Sequence, residues 1–243
     1  MSRPGRCGSR PATSRPNGGK SQIVTYQFRF DVVLQNLGFL MQGLQMTIFL
    51  SFVALVISVF GGLVLAVMVL SRSRIVRGIN IAFGEIIRNT PILVQLFWVY
   101  YVIPLALGIR ISAVAATLIG LSIYSSAFIA EVFRAGIQAV PVGQREAAQV
   151  LGMSGWQTFH RIVLPQAIRV VLPPLAANFV TLIKYSSLGS VFSVPEITRQ
   201  AVLLTASTFR PLEIFTFIAV VYFAVCWPLT LAIRIWEARL ARR

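Results

Sequence analysis

Long, uncharged apolar stretches recur along the chain, and most polar and charged positions lie in the segments between them. Such stretches predict membrane-spanning helices, because roughly 20 apolar residues cross a hydrocarbon core about 30 Å thick. They lack the period-two alternation that is typical of barrel strands. We therefore predict an all-α integral membrane protein with five transmembrane helices, at about residues 46–70, 89–109, 111–131, 170–195 and 214–233.

The composition agrees with this prediction. Of the 243 residues, 56% are hydrophobic and only 12% are charged, whereas soluble domains contain about 25% charged residues. In the first predicted span, Ser58, Gly61 and Gly62 are small enough to let a neighbouring helix approach closely. The fourth predicted span is interrupted by a single charge, Lys184.

The formal net charge of +15 arises from arginines that concentrate on one side of the predicted spans. By the positive-inside rule, the side with more basic residues is cytoplasmic, so we expect the N-terminus outside and the C-terminus in the cytoplasm. No nucleic-acid partner is predicted, because no soluble domain carries the charge. The richer side holds Arg72, Arg74, Arg77, Arg88, Arg134, Arg145, Arg161, Arg169, Arg234, Arg239, Arg242 and Arg243, and the other side holds Arg110, Arg199 and Arg210.

The two ends of the chain differ from the apolar middle. Residues 1–25 are basic and rich in Pro, Gly and Ser, which predicts a disordered tail. Three interpretations stay open: the tail is translocated despite its charge, the true start lies downstream, or the tail is a transit peptide. Residues 26–42 are predicted to be an interfacial amphipathic segment, residues 43–235 the membrane domain, and residues 236–243 a basic cytoplasmic C-terminus.

Cysteine and histidine give no indication of a metal site. Cys7 and Cys226 are far apart in the sequence, and His160 has no acid or thiol close to it along the chain. We predict no disulfide framework, no metal and no cofactor.

The most informative polar segment lies between the third and fourth predicted spans. Residues 144–151 favour a helix, and Gly152 suits the left-handed residue that ends one. Ser154 can cap a second helix, and Pro165 marks a further break. The pattern predicts two short helices joined by a glycine corner, which we call the elbow (residues 141–165). An ordinary cytoplasmic helix pair is the alternative interpretation.

The side chains of the elbow also suggest a docking function. Ala147 and Ala148 would leave one helix face shallow enough for the backbone of a partner to approach. Glu146 lies early in its helix, where the helix dipole favours a carboxylate that can also pair with a partner.

The order Glu146-Ala147-Ala148, three residues, Gly152, nine residues, Ile162-x-Leu164-Pro165 resembles the EAA coupling loop of ABC importer permeases. Several flanking segments resemble the polar-amino-acid (histidine, glutamine and arginine) branch of that family. They are residues 88–95, 130–137, 165–174 and 208–211. The resemblance covers residues 26–243, although Tyr185 stands where the family usually places an acid or amide after the lysine, and family members generally lack the basic tail.

The resemblance implies a type I ABC importer transmembrane fold and a permease subunit that carries a polar amino acid across a bacterial inner membrane. It implies a partner ATP-binding cassette ATPase dimer, a periplasmic or extracellular substrate-binding protein, and a second permease copy or paralogue. The chain itself has no Gly-rich GxxxxGK[ST] phosphate loop, so we expect it to be a transport subunit and not an enzyme. An opine, ectoine or related compatible solute is an alternative substrate.

A charge inside a span is expected to have a partner or a function. A lysine at the centre of a span costs about 2.5–3.5 kcal/mol on insertion scales, so Lys184 should face protein or water. Glu131, Ser186 and Ser187 are its candidate partners, and these four residues are predicted to line the translocation path or to brace the helices. A stand-alone ion-coupled carrier is the rival class; it requires paired intramembrane acids, and only Glu131 comes close. A purely structural membrane scaffold is the third alternative.

Overall fold

The computed structural model describes residues 27–69, 71 and 73–240, and this part of the chain forms nine helices. The predicted tail, residues 1–25, and the last three residues lie outside it. The helices are α1 (Asp31–Gln35), α2 (Leu37–Val69), α3 (Arg74–Asn89), α4 (Ile92–Leu107), α5 (Ala113–Gln138), α6 (Val142–Val150), α7 (Gly155–Phe192), α8 (Ile197–Thr208) and α9 (Pro211–Leu240).

Among the described residues, four helices are long and apolar enough to cross a membrane, namely α2, α5, α7 and α9. The consecutive helices α3 and α4 form a pair that passes the same test, although they are bent by 108° where they meet. The structure therefore contains four candidate spans, or five if the bent pair counts as one. The helices extend beyond the predicted spans: α5 continues past Glu131 to Gln138, and α2 begins at Leu37 instead of near residue 46.

The small residues of α2 allow the close helix packing that was predicted. The hydroxyl of Ser58 donates to the carbonyl of Ser122 on α5 at 3.2 Å. A Cβ built on Gly62 would lie 2.6 Å from Cγ2 of Ile129, closer than real Cβ contacts come. The contact between α2 and α5 thus depends on the absence of side-chain bulk on α2.

Two prolines explain where the helices depart from α-helical geometry. Trp98–Val102 forms a π turn just before Pro104, and Phe159–Val163 forms another just before Pro165. A proline ring clashes with the carbonyl four residues earlier and cannot donate a backbone hydrogen bond, and a widened turn accommodates both effects. The second π turn lies within the elbow.

The helix α8 was not predicted, because the sequence indicated only a short loop between the fourth and fifth spans. The Glu196 carboxylate caps α8, accepting from the backbone N–H groups of Thr198 at 2.9 Å and Arg199 at 2.7 Å. The apolar face of α8 packs into the core through Ile197 and Ala201. The segment is thus a helix with one buried face, and the other face, with Val202 and Leu203, is exposed.

The segment predicted as interfacial, residues 26–42, contains the short helix α1, a break at Asn36 and the start of α2. Val33 and Leu40 are buried against α8 and α9. The guanidinium of Arg210 donates to the carbonyl of Gln27 at 2.8 Å. Contacts within the protein thus hold this segment; its position at a membrane surface stays a prediction.

Candidate functional site

The first helix and the glycine corner of the elbow are as expected from its sequence, but the second helix is not short: it continues through Pro165, where a break was predicted, to Phe192. α6 ends at Val150, and Gly152 follows in the left-handed region with φ of 74°. The N–H of Gly152 donates to the carbonyl of Gln149 at 2.9 Å, and that of Met153 to Ala148 at 3.0 Å. These two bonds are the pairing of a Schellman motif, which ends a helix and reverses the chain in a defined direction.

The second helix of the elbow begins at Ser154, as predicted. The Ser154 hydroxyl accepts from the N–H of Gln157 at 3.3 Å, and the Gln157 side chain accepts from the N–H of Ser154 at 2.9 Å. This reciprocal capping box determines the start of α7. Together with the Schellman motif, this capping box determines the backbone conformation on both sides of the corner.

Polar contacts attach the elbow to the spans on either side. Arg145 donates to the carbonyl of Ile137, near the end of α5, at 2.5 Å. The Gln166 amide donates to Gln144 at 2.5 Å and so joins α6 to α7. The elbow is therefore connected to both flanking spans.

The predicted motif residues divide between the two sides of the elbow. Glu146, Ala147, Gly152 and Pro165 are exposed, whereas Ile162 and Leu164 are half-buried. Ala148 is only 1% exposed and points into the protein. Ala148 therefore does not contribute to the shallow outward face expected for it; only Ala147 does.

Large apolar side chains complete the outward surface of the elbow, and the sequence interpretation did not single them out. Val150 is 88% exposed, Leu151 79% and Trp156 72%. Clustered apolar residues at the surface are typical of protein contacts. They could have been found from the sequence, because bulky apolar residues stand on both sides of Gly152 in an otherwise polar segment.

A charged cluster joins α3 to the C-terminal part of α5. Glu131 accepts a 3.0 Å hydrogen bond from Nε of Arg134, and its carboxylate lies 3.9 Å from Arg88. Arg88 also pairs with Glu85 at 2.5 Å. The partners of Glu131 are therefore arginines, and its predicted pairing with Lys184 is wrong.

Lys184 has no ion pair among the residues that the structure describes. The Ser186 hydroxyl donates to the carbonyl of Ile183 at 2.8 Å, and the Ser187 hydroxyl donates to the carbonyl of Lys184 at 2.7 Å. Both serines therefore satisfy the backbone at the end of the α-helical part of α7, and the structure gives neither a contact with the ammonium group. Lys184 is exposed and lines two cavities of about 470 and 630 Å³.

A further cavity, of about 620 Å³, lies between α5 and α7. It is lined by the charged cluster residues Arg88 and Glu131 and by Tyr124, Tyr185 and Asn178. Ser125 donates to the side-chain oxygen of Asn178 across the cavity wall at 2.6 Å. A cation, an anion, hydroxyls and an amide thus border one space, a set of groups suited to a zwitterion. Of these residues, the sequence interpretation had named only Glu131 as a candidate for the path.

Two buried acids were also missed. Glu196 and Glu213 are both 0% exposed, at the starts of α8 and α9. Glu213 accepts from the backbone N–H of Arg29 at 3.0 Å and lies 3.4 Å from Arg210. Both carboxylates hold the elements around α8 together. Glu196 follows the fourth predicted span and Glu213 precedes the fifth, and nothing in the local pattern distinguished them from loop residues.

A bundle of membrane-spanning helices with a structured elbow between two of them is the architecture of a type I ABC importer permease. The chain belongs to the family of binding-protein-dependent transport system inner membrane components, whose model matches residues 58–243. The resemblance seen in the coupling motif is thereby confirmed.

Two curated relatives show the branch of the family. The probable amino-acid ABC transporter permease protein YckA of Bacillus subtilis (strain 168) is 37% identical over 201 residues, which cover 83% of this chain and 88% of that protein. The glutamine transport system permease protein GlnP of Escherichia coli (strain K12) is 35% identical over 219 residues, covering 88% of this chain and 98% of that protein.

Solved structures agree with the fold. The crystal structure of an amino acid ABC transporter with histidines superposes with a TM-score of 0.84 at 36% identity, covering 88% of this chain and 100% of that chain. An inward-facing structure of the MetNI methionine ABC transporter, 20% identical, gives a TM-score of 0.70 over 84% of this chain and 97% of that chain, and supports the fold alone.

Proposed function

We propose that this permease forms half of the translocation path for a polar amino acid and that a separate pair of ATP-binding cassette subunits drives it through the elbow. The observation that carries the proposal is the outward surface of the elbow, where Leu151 and Trp156 are exposed on either side of a rigidly specified corner. A surface of this kind fits a cleft in a partner protein.

The helix α7 gives the elbow a mechanical connection to the membrane domain. It extends from Gly155 to Phe192, 38 residues, or roughly 57 Å at 1.5 Å per residue, through the π turn at Phe159–Val163 and past Pro173 and Pro174. The second helix of the elbow and Lys184 thus lie on the same helix, α7. When the ATPase subunits close on ATP, movement of the elbow is transmitted along α7 to the cavity walls, which then open to the opposite side of the membrane.

The substrate class rests on the relatives and on the chemistry of the cavity. The named relatives carry amino acids or glutamine, and the cavity between α5 and α7 offers Arg88 for a carboxylate and Glu131 for an amine. Opines, ectoine and related solutes carry similar groups. We therefore expect a binding protein to select among such compounds and to deliver one of them from the periplasmic or extracellular side.

A second permease copy or paralogue completes the path. Lys184 and Arg88 border the same cavity, and charged side chains of a membrane span do not face lipid without a large cost. This face therefore turns toward the aqueous path or toward the second permease. The arginine distribution supports a location in the bacterial inner membrane with the elbow and the C-terminus in the cytoplasm.

The test uses the permease reconstituted in proteoliposomes with its ATPase and binding protein. Replacing the exposed Leu151 by Ser should reduce both substrate uptake and the stimulation of ATP hydrolysis by loaded binding protein, while insertion in the membrane is unchanged. The matched control is Leu107→Ser, which removes another exposed leucine, 66% exposed, at the far end of α4. Uptake that is unaffected by the Leu151 change, or that proceeds without any ATPase, contradicts the proposal.

A further inference from the structure

An apolar groove of about 240 Å³ lies next to the elbow, between α2, α5 and the first half of α7. All of its lining residues are apolar, and they include Leu63 and Val67 on α2, Phe133 on α5, and Phe159, Leu164 and Leu172 on α7. It shares no lining residue with the polar cavities around Lys184, Arg88 and Glu131. The groove is therefore separate from the proposed translocation path.

The groove opens toward the lipid. From Phe49 to Val67, every exposed side chain of α2 is apolar, and this helix is a candidate membrane span. Leu63 and Val67 belong to this outward face and also line the groove. The exposed charge of Lys184 borders other cavities, so the face that needs water or a second permease lies elsewhere.

The surroundings of the groove favour a hydrocarbon chain as its occupant. The lining side chains are apolar and offer no partner to a polar side chain. The exposed side chains of α2 beside the groove are apolar as well. An acyl chain is apolar along its whole length, and the surrounding bilayer supplies such chains.

We propose that the groove binds an acyl chain of a membrane phospholipid and that this acyl chain packs the elbow, at Phe159 and Leu164, against α2 and α5. Phe159 belongs to the π turn of the elbow, and Leu164 follows that turn directly. Beside them Gly136 on α5 lies against Ala167 and Val171 of α7, with no room for a side chain. One wall of the groove is thus a tight helix crossing and the other is the elbow.

The binding energy comes from packing and not from removal of apolar surface from water, because the acyl chain leaves a bilayer that is as apolar as the groove. Van der Waals contacts are lost where a groove wall has no neighbouring atoms, and an acyl chain in the groove restores them. The bound acyl chain would make α2, α5 and the elbow move as one unit. Its effect on coupling rests on the proposed function, whereas its binding does not.

The test measures labelling of the full-length permease in proteoliposomes by a phospholipid with a photoactivatable diazirine in its acyl chain. Mass spectrometry of the products should place adducts on Phe159, Leu164 and Leu172 at about tenfold the level seen on Phe52 and Phe60 of the same membrane face, which corresponds to about 1.4 kcal/mol of preference. Equal labelling of all these residues shows ordinary contact with bulk lipid and overturns the proposal.

A filled groove provides the second arm. Leu172→Phe adds bulk at the groove mouth and should abolish the excess labelling of Phe159 and Leu164. Leu231→Phe makes the same change at a similarly exposed leucine on α9 and should leave the excess labelling of Phe159 and Leu164 unchanged. Persistent excess labelling in Leu172→Phe overturns the site. Efficient disulfide cross-linking of a Leu63→Cys variant to a second copy would show that protein, not lipid, covers the groove.

Coupling is read separately, as molecules transported per ATP hydrolysed by the complex with its ATPase. Leu172→Phe should lower this ratio relative to Leu231→Phe. If the lipid adducts disappear and the ratio does not change, the role in bracing the elbow is wrong although the site exists. Failure of the elbow itself as a coupling element would appear in the Leu151→Ser variant and not in the lipid labelling.

Discussion

A Cβ built on Gly43 would lie 2.8 Å from Cα of Ile197, the first residue of α8. At this point the backbone of α2 lies directly against the backbone of α8 and against the side chain of Gln200, whose Cγ would lie 2.7 Å from the added Cβ. The hydroxyl of Thr47, one turn further along α2, accepts from the N–H of Ile197 at 3.2 Å. Close packing and this hydrogen bond together hold the start of α8 against α2.

We expect Gly43→Ala to destabilise the protein by about 1–3 kcal/mol, because inserting a methyl group into a closed backbone contact forces the helices apart. Gly38→Ala, on the same helix with no atom within 4 Å of the added methyl, is the matched control and should not destabilise. The measurement is thermal unfolding of the purified permease. Equal melting temperatures for the two variants would contradict the contact.

The buried Glu196 predicts a pH dependence. Burial raises the pKa of this carboxyl from its usual 4.5 to about 7, against hydrogen bonds from Thr198, Arg199 and Tyr222 that lower it. A raised folded-state pKa means that the folded protein holds the proton more tightly than the unfolded chain. The stability contributed by this group is therefore complete below pH 4.5 and is lost as pH rises to about 7.

Melting temperature measured from pH 4.5 to 8 should fall across this range in the unaltered protein. In Glu196→Gln the fall should be smaller, because the neutral amide still offers one oxygen to cap α8 but does not ionise. Glu85→Gln replaces an exposed acid on α3 and serves as the control. Identical pH profiles for Glu196→Gln and the unaltered protein would refute the assignment.

The corner of the elbow depends on Gly152. Its φ of 74° lies in the left-handed region, where a side chain costs about 1–2 kcal/mol. We expect Gly152→Ala to weaken the corner and to lower the number of molecules transported per ATP hydrolysed. Gly155→Ala, inside a helix and with open space around the added methyl, is the control and should preserve coupling. Reduced coupling in both variants would indicate sensitivity to bulk and not to backbone geometry.

Lys184→Met separates the two roles proposed for this residue. If the ammonium lines the path, the variant assembles with its partners as before and its transport rate falls; this is the result we expect. If the lysine braces the contact with the second permease, the complex loses that partner during purification. Normal transport by a normally assembled complex would exclude contact with the substrate. Size-exclusion chromatography and uptake in proteoliposomes distinguish these outcomes.

Local features of the sequence were sufficient to predict the corner of the elbow. Gly152 and Ser154 specify helix ends through contacts with residues at most a few positions away, namely the Schellman motif and the capping box. The small residues Ser58 and Gly62 predicted the close approach of a neighbouring helix, and the structure shows that this helix is α5. Long apolar runs also predicted the spans, because the hydrocarbon thickness requires a minimum helix length whatever the neighbours are.

Burial and pairing depend on groups that are distant in the sequence, and there the sequence interpretation failed. Ala147 and Ala148 are adjacent and identical in type, yet only Ala148 turns inward. Glu131 pairs with Arg134, three residues along the same helix, and with Arg88 on α3, and not with Lys184. Only the contact with Arg88 required the tertiary structure, because α3 and α5 meet only in the folded protein.

The amino-acid sequence by itself thus determined a helical membrane protein with a capped elbow and, through its motif, the permease family. The tertiary structure alone decided that one face of α8 is buried and which acids are enclosed. It also brought Arg88, Glu131 and Asn178 around one cavity and left an apolar groove beside the elbow. The physical reason is range: caps and spans are set by neighbours along the chain, whereas cavities and ion pairs arise where separate helices meet.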